Sequence, residues 1–134
     1  MRKQLVALLI AALSLAVLLF AACGGNAPAG PAVVNVTLNE FKIEMDRTSI
    51  PAGPVKFVFT NNCSVEHEVV LELAGDVDKP FEAGDKVSEA EDIEPGKSST
   101  LEWTIDTPGQ YQLACHVPGH YEAGMVTLFT VTAP

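Results

Sequence analysis

Four side chains that can bind a soft or borderline metal ion lie within eleven positions near the end of the chain. They are Cys115, His116, His120 and Met125, in the run Cys-His-Val-Pro-Gly-His-Tyr-Glu-Ala-Gly-Met. Thiolate, imidazole and thioether groups are donors that copper accepts from proteins, and zinc shares the first two. One short segment therefore concentrates the side chains that such an ion requires.

His67 is the remaining histidine of the chain. It opens an apolar segment directly after the loop of residues 61–66. This loop and the one that contains residues 115–125 can therefore meet at one end of the fold. Two imidazoles, a thiolate and a weak axial thioether form the donor set of a blue-copper electron-transfer site. The pattern therefore predicts one type 1 copper ion per chain. Its expected ligands are His67, Cys115, His120 and Met125.

Zinc is the rival metal for these donors. Structural zinc sites use four Cys or His ligands and rarely include a thioether, so Met125 favours copper. A rigid scaffold around such donors would let the bound ion change its oxidation state with little movement. That property is the one an electron carrier needs.

Seven segments carry the residue pattern of β-strands. They alternate apolar with polar side chains or are rich in β-branched and aromatic residues, and turns with Gly, Pro or Asn separate them. The segments are residues 33–38, 41–45, 55–60, 67–73, 100–105, 110–114 and 126–132. This pattern predicts an all-β fold, a Greek-key β-sandwich of about 7–8 strands.

Residues 74–93 depart from the strand pattern, because they are acidic and contain Gly75, Pro80 and Gly84. We expect a long loop here, with at most a short helical turn near Phe81. Two interpretations remain open. The loop either covers part of the metal site or crosses between the two sheets as a solvated connection.

The first residues have the pattern of a bacterial secretory signal. Two basic residues precede an apolar run over residues 5–20, and small residues follow. The sequence Leu-Phe-Ala-Ala-Cys resembles a lipobox, so we expect Cys23 to carry a lipid; a plain signal peptide or an uncleaved anchor is the alternative. The expected organisation is a lipoprotein-type signal peptide (1–22), a Gly/Pro-rich tether (23–32) and one domain (33–134). The domain would work outside the cytoplasm, in the periplasm or on the outer face of the cell membrane.

The charge balance is acidic. The full chain has 8 Lys and Arg against 17 Asp and Glu, a formal charge of −9, and removal of residues 1–22 would change this to −11. Binding to nucleic acid requires a basic face, so we exclude that class of function. A basic protein partner, in contrast, would be attracted.

These motifs resemble those of the cupredoxins, the plastocyanin/azurin superfamily, over about residues 33–131. The resemblance rests on Val-Lys-Phe-Val-Phe-Thr-Asn-Asn from residue 55, Glu-Pro-Gly-Lys from residue 94, and the segment 108–125. The length of the last loop is similar to that in auracyanins, rusticyanin and sulfocyanin-like proteins. The resemblance implies the same four copper ligands and redox partners of the cytochrome or oxidase type, in a respiratory or photosynthetic chain. We expect the protein to be a monomer.

Two residues depart from the family pattern. Glu68 follows the first ligand histidine, where many relatives carry an Asn or Ser that links the two ligand loops. His116 follows Cys115, as in the last ligand block of laccase-type multicopper oxidases. However, Ala114 precedes the cysteine here, and the chain has only three histidines. We therefore expect His116 to be a non-ligand, and we expect no second copper site and no enzymatic activity.

Cys63 is not explained by these motifs. Its possible disulfide partners are Cys23, which we expect to carry a lipid, and Cys115, which the metal needs as a thiolate. Cys63 is then either a free buried thiol near the metal site or forms an intermolecular disulfide.

The expected function is the shuttling of single electrons between extracytoplasmic redox partners by the Cu(I)/Cu(II) couple. Electrons would enter and leave through His120, whose ring edge we expect at the surface. The residues expected around it are Val117, Pro118, Tyr121 and Ala123. An extracytoplasmic protein that binds and delivers copper is the alternative, but a delivery site would be open, whereas Pro118 stiffens this loop.

Overall fold

The computed structural model describes residues 30–134. The predicted signal peptide, Cys23 and most of the tether therefore lie outside the described residues. The strands are β1 (Ala32–Asn39), β2 (Lys42–Met45), β3 (Ser49–Pro51), β4 (Gly53–Asn61), β5 (His67–Leu73), β6 (Glu82–Ala83), β7 (Lys86–Val87), β8 (Glu89–Ile93), β9 (Ser98–Ile105), β10 (Gly109–Ala114) and β11 (Val126–Thr132). No helix within residues 30–134 is long and apolar enough to cross a membrane.

Two sheets form a β-sandwich. One sheet has the strand order β2-β1-β4-β9, and the other has the order β3-β11-β10-β5-β8. Most neighbouring strands are antiparallel, but β1 pairs with β4 and β11 pairs with β3 in parallel. Strands that follow one another in the chain often lie in different sheets, which is the connectivity of a Greek-key sandwich. The predicted all-β fold is confirmed.

Alternating apolar residues of both sheets fill the core. In β4, the side chains of Val55, Phe57 and Phe59 are buried, as their alternation predicts. The Phe57 ring meets the Phe129 ring of β11 edge-on, with 5.8 Å between ring centroids. Burial of each such side chain contributes about 1.5–3 kcal/mol. The packed core therefore makes the two sheets a rigid support for the loops at their ends.

The structure of residues 74–93 differs from our expectation. In place of a long loop with a helical turn near Phe81, β6 and β7 form a hairpin, and β8 pairs with β5. The buried apolar residues of β8 are Ala90 and Ile93. Because they are three positions apart, β8 lacks the apolar residue at every second position that would indicate a strand. The register between β5 and β8 also shifts, which is how a sheet accommodates an irregular strand.

Two smaller differences concern β3 and the first turn. Strand β3 has three residues, too few for a periodic pattern. Phe41, which we expected to begin a strand, lies instead in the turn between β1 and β2 with φ of 53°. This turn lies at the end of the sandwich where β1 ends and β2 begins.

The same end of the sandwich collects the ends of four further strands. β4 ends at Asn61, β5 begins at His67, β10 ends at Ala114 and β11 begins at Val126. Ala114 lies opposite Val126 in the antiparallel pair of β10 and β11, so residues 115–125 form one closed loop. Because β5 is the other neighbour of β10, His67 begins its strand next to this loop.

Candidate metal centre

Three of the four predicted ligands meet at this end of the sandwich. The Nδ1 atoms of His67 and His120 lie 3.2 Å apart. The Sγ atom of Cys115 lies 3.7 Å from the Nδ1 of His67 and 3.4 Å from that of His120. His67 and Cys115 are buried, whereas His120 is partly exposed. Solvent therefore reaches this triangle of donor atoms most directly along His120.

The size of the triangle fits one bound ion. A point equidistant from the three donor atoms lies about 2 Å from each, and metal–nitrogen and metal–sulfur bonds are about 2.0–2.3 Å long. Two imidazoles and one thiolate are also the equatorial donors that blue-copper sites use. Distances and donor chemistry thus both suit a copper ion.

Met125 closes the loop that carries two of these donors. Its N–H donates to the carbonyl of His120, and its carbonyl accepts from the N–H of Cys115, both at 3.0 Å. The Met125 side chain is fully buried in the same core cluster as Cys115. A thioether at this position is therefore available to complete the predicted donor set.

Tight turns stiffen the loop between Cys115 and Met125. Gly119 and Gly124 have φ of 85° and 96°, a region that side chains other than hydrogen disfavour. The His120 N–H donates to the Val117 carbonyl at 2.9 Å, and the Gly124 N–H donates to the Tyr121 carbonyl at 2.9 Å. These backbone hydrogen bonds hold the turns of the loop together.

Burial shifts the pKa of two of the donors, His67 and Cys115. Burial lowers the pKa of His67, and the nearby His120 lowers it further. Burial also raises the pKa of the Cys115 thiol, although backbone hydrogen bonds from Glu68 and Val117 oppose this rise. The imidazole is thus kept neutral and able to bind a metal, while a buried thiolate needs a cation to offset the loss of water.

His116, the other histidine of the loop, has different partners. Its ring stacks on that of Tyr121, with 5.0 Å between centroids and an angle of 19° between planes. Its Nε2 lies 3.0 Å from Oε1 of Glu72, whose side chain is fully buried. Sequence reasoning missed Glu72, because a carboxylate in an otherwise apolar strand gives no sign of which residue pairs with it.

Asn61 organises the loop that leads to His67. Its buried amide donates to the carbonyls of Val65 at 2.8 Å and Ile93 at 2.7 Å. Its Oδ1 accepts from the N–H of Cys63 at 2.8 Å. The sequence identified Asn61 only as a turn residue, because Ile93 lies in the strand that the sequence did not predict.

Phe41 is a third residue that the sequence did not place at the site. Its ring meets the ring of His120 edge-on, with 5.5 Å between centroids and an interplanar angle of 85°. Phe41 is 49 % exposed, although its φ of 53° lies in the left-handed region that few aromatic residues adopt. The strained turn presents an aromatic side chain to solvent beside a candidate ligand.

Cys63 is a free, buried thiol in the described part of the chain. Its Sγ donates to the carbonyl of Leu38 at 3.5 Å. Burial raises the pKa of the Cys63 thiol, and the charges of Glu40 and Cys115 act in the same direction. A thiol of this kind is a weak nucleophile and a poor metal ligand, which agrees with the expectation of a buried free thiol.

Residues 11–128 match the family model described as a cupredoxin-like domain. Among characterised proteins, the copper-resistant cuproprotein CopI of Vibrio cholerae is 31 % identical over 104 residues, which are 70 % of this chain and 62 % of that protein. Auracyanin-B of Chloroflexus aurantiacus is 28 % identical over 137 residues, 80 % of this chain and 58 % of that protein. The chain thus spans less than two thirds of the length of these relatives.

Solved structures show the same fold. Auracyanin B matches with a TM-score of 0.59 at 27 % identity, over 79 % of this chain and 91 % of that one. Reduced auracyanin from Roseiflexus castenholzii matches with a TM-score of 0.60 at 21 % identity, over 75 % and 97 % of the two chains. Rusticyanin from Thiobacillus ferrooxidans matches with a TM-score of 0.55 at 21 % identity, over 75 % and 76 %. The last two likenesses support the fold alone.

Replacement of Asn61 by Ala should lower the free energy of unfolding by about 2–4 kcal/mol, because the buried carbonyl of Ile93, a part-buried second carbonyl and one N–H lose their partner. Urea denaturation of the metal-free protein measures this loss. The neighbouring Asn62 is exposed, so Asn62→Ala is the matched control and should change the free energy by less than about 0.5 kcal/mol. Equal losses in the two variants would show that the Asn61 side chain does not hold the loop.

Glu89 should make stability depend on pH. Burial raises its pKa, and the charges of Glu68 and Glu91 add to this rise. The folded state therefore holds the Glu89 proton more tightly than the unfolded state, so stability falls as pH rises through the folded pKa. Glu89→Gln should increase the free energy of unfolding at pH 7 by up to about 1 kcal/mol, since part of the carboxyl stays solvated.

This gain should disappear below about pH 4, where Glu89 is protonated in both states. Urea denaturation at pH 7 and below about pH 4 measures the gain in the free energy of unfolding. Glu82→Gln removes the same charge from an exposed position and is the matched control for the loss of one carboxylate. A gain from Glu89→Gln that persists at low pH would contradict the assigned cause.

Proposed function

The chain belongs to the cupredoxin-like domain family, and from this premise we propose that it is an extracytoplasmic electron-transfer protein with one type 1 copper ion. The observation that carries the proposal is the meeting of Cys115 Sγ with the Nδ1 atoms of His67 and His120, at 3.2–3.7 Å from one another. The proposed ligands are these three residues and Met125. When bound, the ion supplies a one-electron Cu(I)/Cu(II) couple.

In this function, the fold keeps the donor atoms at fixed positions. His67 opens β5 and Cys115 follows β10, and these two strands are hydrogen-bonded neighbours. The backbone bonds of Met125 hold the rest of the loop. Donor atoms that move little between two oxidation states lower the reorganisation that outer-sphere electron transfer requires. The dry surroundings of Cys115 also keep water away from the thiolate.

Electrons would pass through His120, since it is the most exposed of the three donors. Phe41 meets its ring, and the exposed residues Val65 and Pro118 belong to the two loops at the same end. We call the surface of His120, Phe41, Val65 and Pro118 the His120 face. A small apolar surface of this kind suits brief, weakly held docking.

Acidic residues accompany the His120 face. Glu40 precedes Phe41, Glu66 precedes His67, and Glu122 lies in the loop of residues 115–125; all three are exposed. Charges at the rim of a docking surface mainly speed the encounter with an oppositely charged partner. We therefore propose a redox partner with a basic surface, of the cytochrome or oxidase type, in a respiratory or photosynthetic chain.

Attachment to the membrane through a lipid on Cys23 is part of the same proposal. The lipobox-like sequence before Cys23 and the Gly/Pro-rich residues 24–32 support it. The tether would keep a monomeric domain near membrane-bound partners while leaving it free to turn.

Copper binding for resistance or delivery is the second candidate function. The observation that favours it is the 31 % identity to a relative named copper-resistant cuproprotein CopI. A protein that hands over its ion needs an accessible and exchangeable site. The burial of His67 and Cys115 favours the electron carrier instead.

The copper-loaded protein should show an intense visible absorption from thiolate-to-copper charge transfer, which a reductant bleaches reversibly. Cys115→Ser should abolish this band, because it removes the sulfur donor. Cys63→Ser is the matched control; it removes the other thiol of the described domain and should leave the band intact. A colourless Cu(II) form, or rapid loss of copper to a mild chelator, would favour copper delivery over electron transfer.

Electron transfer to a basic redox protein should slow by about tenfold or more when salt is raised from about 10 mM to about 1 M, because screening removes the attraction. Stopped-flow mixing of the copper-loaded protein with a basic cytochrome measures the rate. Glu40→Gln should weaken the salt dependence, whereas Glu82→Gln, far from the His120 face, should not. A rate that stays flat or rises with salt would refute attraction by these acids.

A further inference from the structure

A buried polar network lies beside the metal centre, and none of its residues is a proposed ligand. At its middle is the carboxylate of Glu72, which is fully buried in β5. Its Oε2 accepts from the N–H of Lys79 at 2.8 Å, and its Oε1 accepts from Nε2 of Gln112 at 2.8 Å. The same Oε1 lies 3.0 Å from Nε2 of His116. A buried carboxylate is costly, so three partners indicate a position that the fold maintains.

Gln112 extends this network into the turn after β5. Its Nε2 also donates to the carbonyl of Asp76 at 2.8 Å, and its Oε1 accepts from the N–H of Gly75 at 2.9 Å. Gln112 lies opposite Glu72 in the pair of β10 and β5. The turn of residues 74–79 is thereby fastened to the strand that leads to Cys115.

The Nε2 atom of His116 faces two groups but can form a hydrogen bond with only one of them. The N–H of Asp78 lies 3.2 Å away and would need an acceptor, whereas the Glu72 carboxylate needs a donor. Asp78 is exposed, so water can satisfy its N–H, but Glu72 has no access to water. We therefore assign the Nε2 hydrogen to Glu72, because a buried carboxylate oxygen facing the lone pair of an imidazole nitrogen costs more than an exposed peptide N–H that water can satisfy.

His116 thus touches every segment that carries a donor atom. It follows Cys115 directly in the chain. Its ring stacks on Tyr121, the residue after His120. Its Nε2 binds Glu72 in β5, the strand that begins with His67. The side chain itself is only 8 % exposed, so these contacts leave its ring little room to turn.

We propose that His116, held by Glu72, is a positioning residue that fixes the Cys115–His120 segment against β5 and so sets the donor triangle before an ion binds. The proposal rests on the proposed function for the identity of the ion, but its geometric content concerns the metal-free protein. Loss of a hydrogen bond made directly to a metal ligand typically costs about 10–100-fold in metal affinity, and the loss at His116, one step further from the metal, should be about tenfold. The role needs no bond between His116 and the metal.

The test compares three variants with one control. His116→Phe keeps a ring on Tyr121 but removes the bond to Glu72; His116→Gln keeps an N–H donor; Glu72→Gln keeps the shape and removes the charge. Tyr111→Phe is the control, because it removes a part-buried hydrogen bond, to the Thr107 carbonyl at 2.8 Å, from the other end of β10. Each variant is titrated with copper against a chelator, and its visible and EPR spectra are recorded at saturating copper.

We expect His116→Phe and Glu72→Gln to lower copper affinity by about tenfold. At saturating copper both should stay blue, with altered relative intensities of the visible bands and altered EPR splitting. His116→Gln should recover most of the affinity. Tyr111→Phe should leave affinity and spectra unchanged even where it lowers stability. The Glu72 and His116 effects should also be non-additive in a double variant, since both report the same bond.

Hydrogen exchange of the metal-free protein separates this proposal from the proposed function. His116→Phe should speed exchange at the N–H groups of Cys115 and Met125, which close the loop, whereas Tyr111→Phe should not. That result would support the positioning role even if the wild type failed to show a blue copper site.

Two outcomes would overturn the proposal. One is a His116→Phe protein whose copper affinity, spectra and loop exchange all match those of Tyr111→Phe, because His116 would then stabilise the fold without positioning the donors. The other is a wild-type blue spectrum that His116→Phe or His116→Ala abolishes at saturating copper, since His116 would then be a ligand. If His116→Phe does not fold, the same comparisons are made with Glu72→Gln.

Discussion

Two segments 48 residues apart in the chain must bring a thiol and two imidazoles within hydrogen-bonding distance of one another in a dry interior. The pairing of β5 with β10 meets this requirement, because it makes the start of one strand the neighbour of the end of the other. Burying unpaired donor groups costs free energy. The hydrogen-bonded loop and the firm core offset that cost, and a bound ion would offset the rest.

Buried polar side chains fix the positions of the loops at this end of the sandwich. Asn61 ties the loop before His67 to β8, and Glu72 ties the turn after β5 to the loop that carries His116. Each of these groups has partners for its buried oxygen atoms, which is the condition under which a buried polar network rigidifies a fold. Apolar packing alone would hold the two sheets together but would not hold three donor atoms at such short mutual distances.

Periodicity was a good guide to the fold and to the strand ends that surround the site. All seven predicted segments appear as strands, and β5 and β11 have the expected bounds. The error over residues 74–93 arose because β8 buries Ala90 and Ile93, a spacing of three that fits a helical turn better than the alternation of a strand. Phe41 was misplaced for a similar reason, since a large aromatic side chain usually signals a strand and rarely a turn with positive φ.

The sequence by itself determined the fold class, the acidic charge and the donor types, because strand alternation and soft metal donors are properties of local residue identity. It also placed His67 and Cys115 at strand ends and His120 in the loop that follows Cys115. Only the tertiary structure decided which distant groups meet: that Glu72 faces His116, that Asn61 reaches Ile93, and that Phe41 lies on His120. Such contacts depend on sheet register and on the packing of one loop against another. A one-residue change of register would turn these side chains to the opposite face, and no local pattern in the chain reveals that choice.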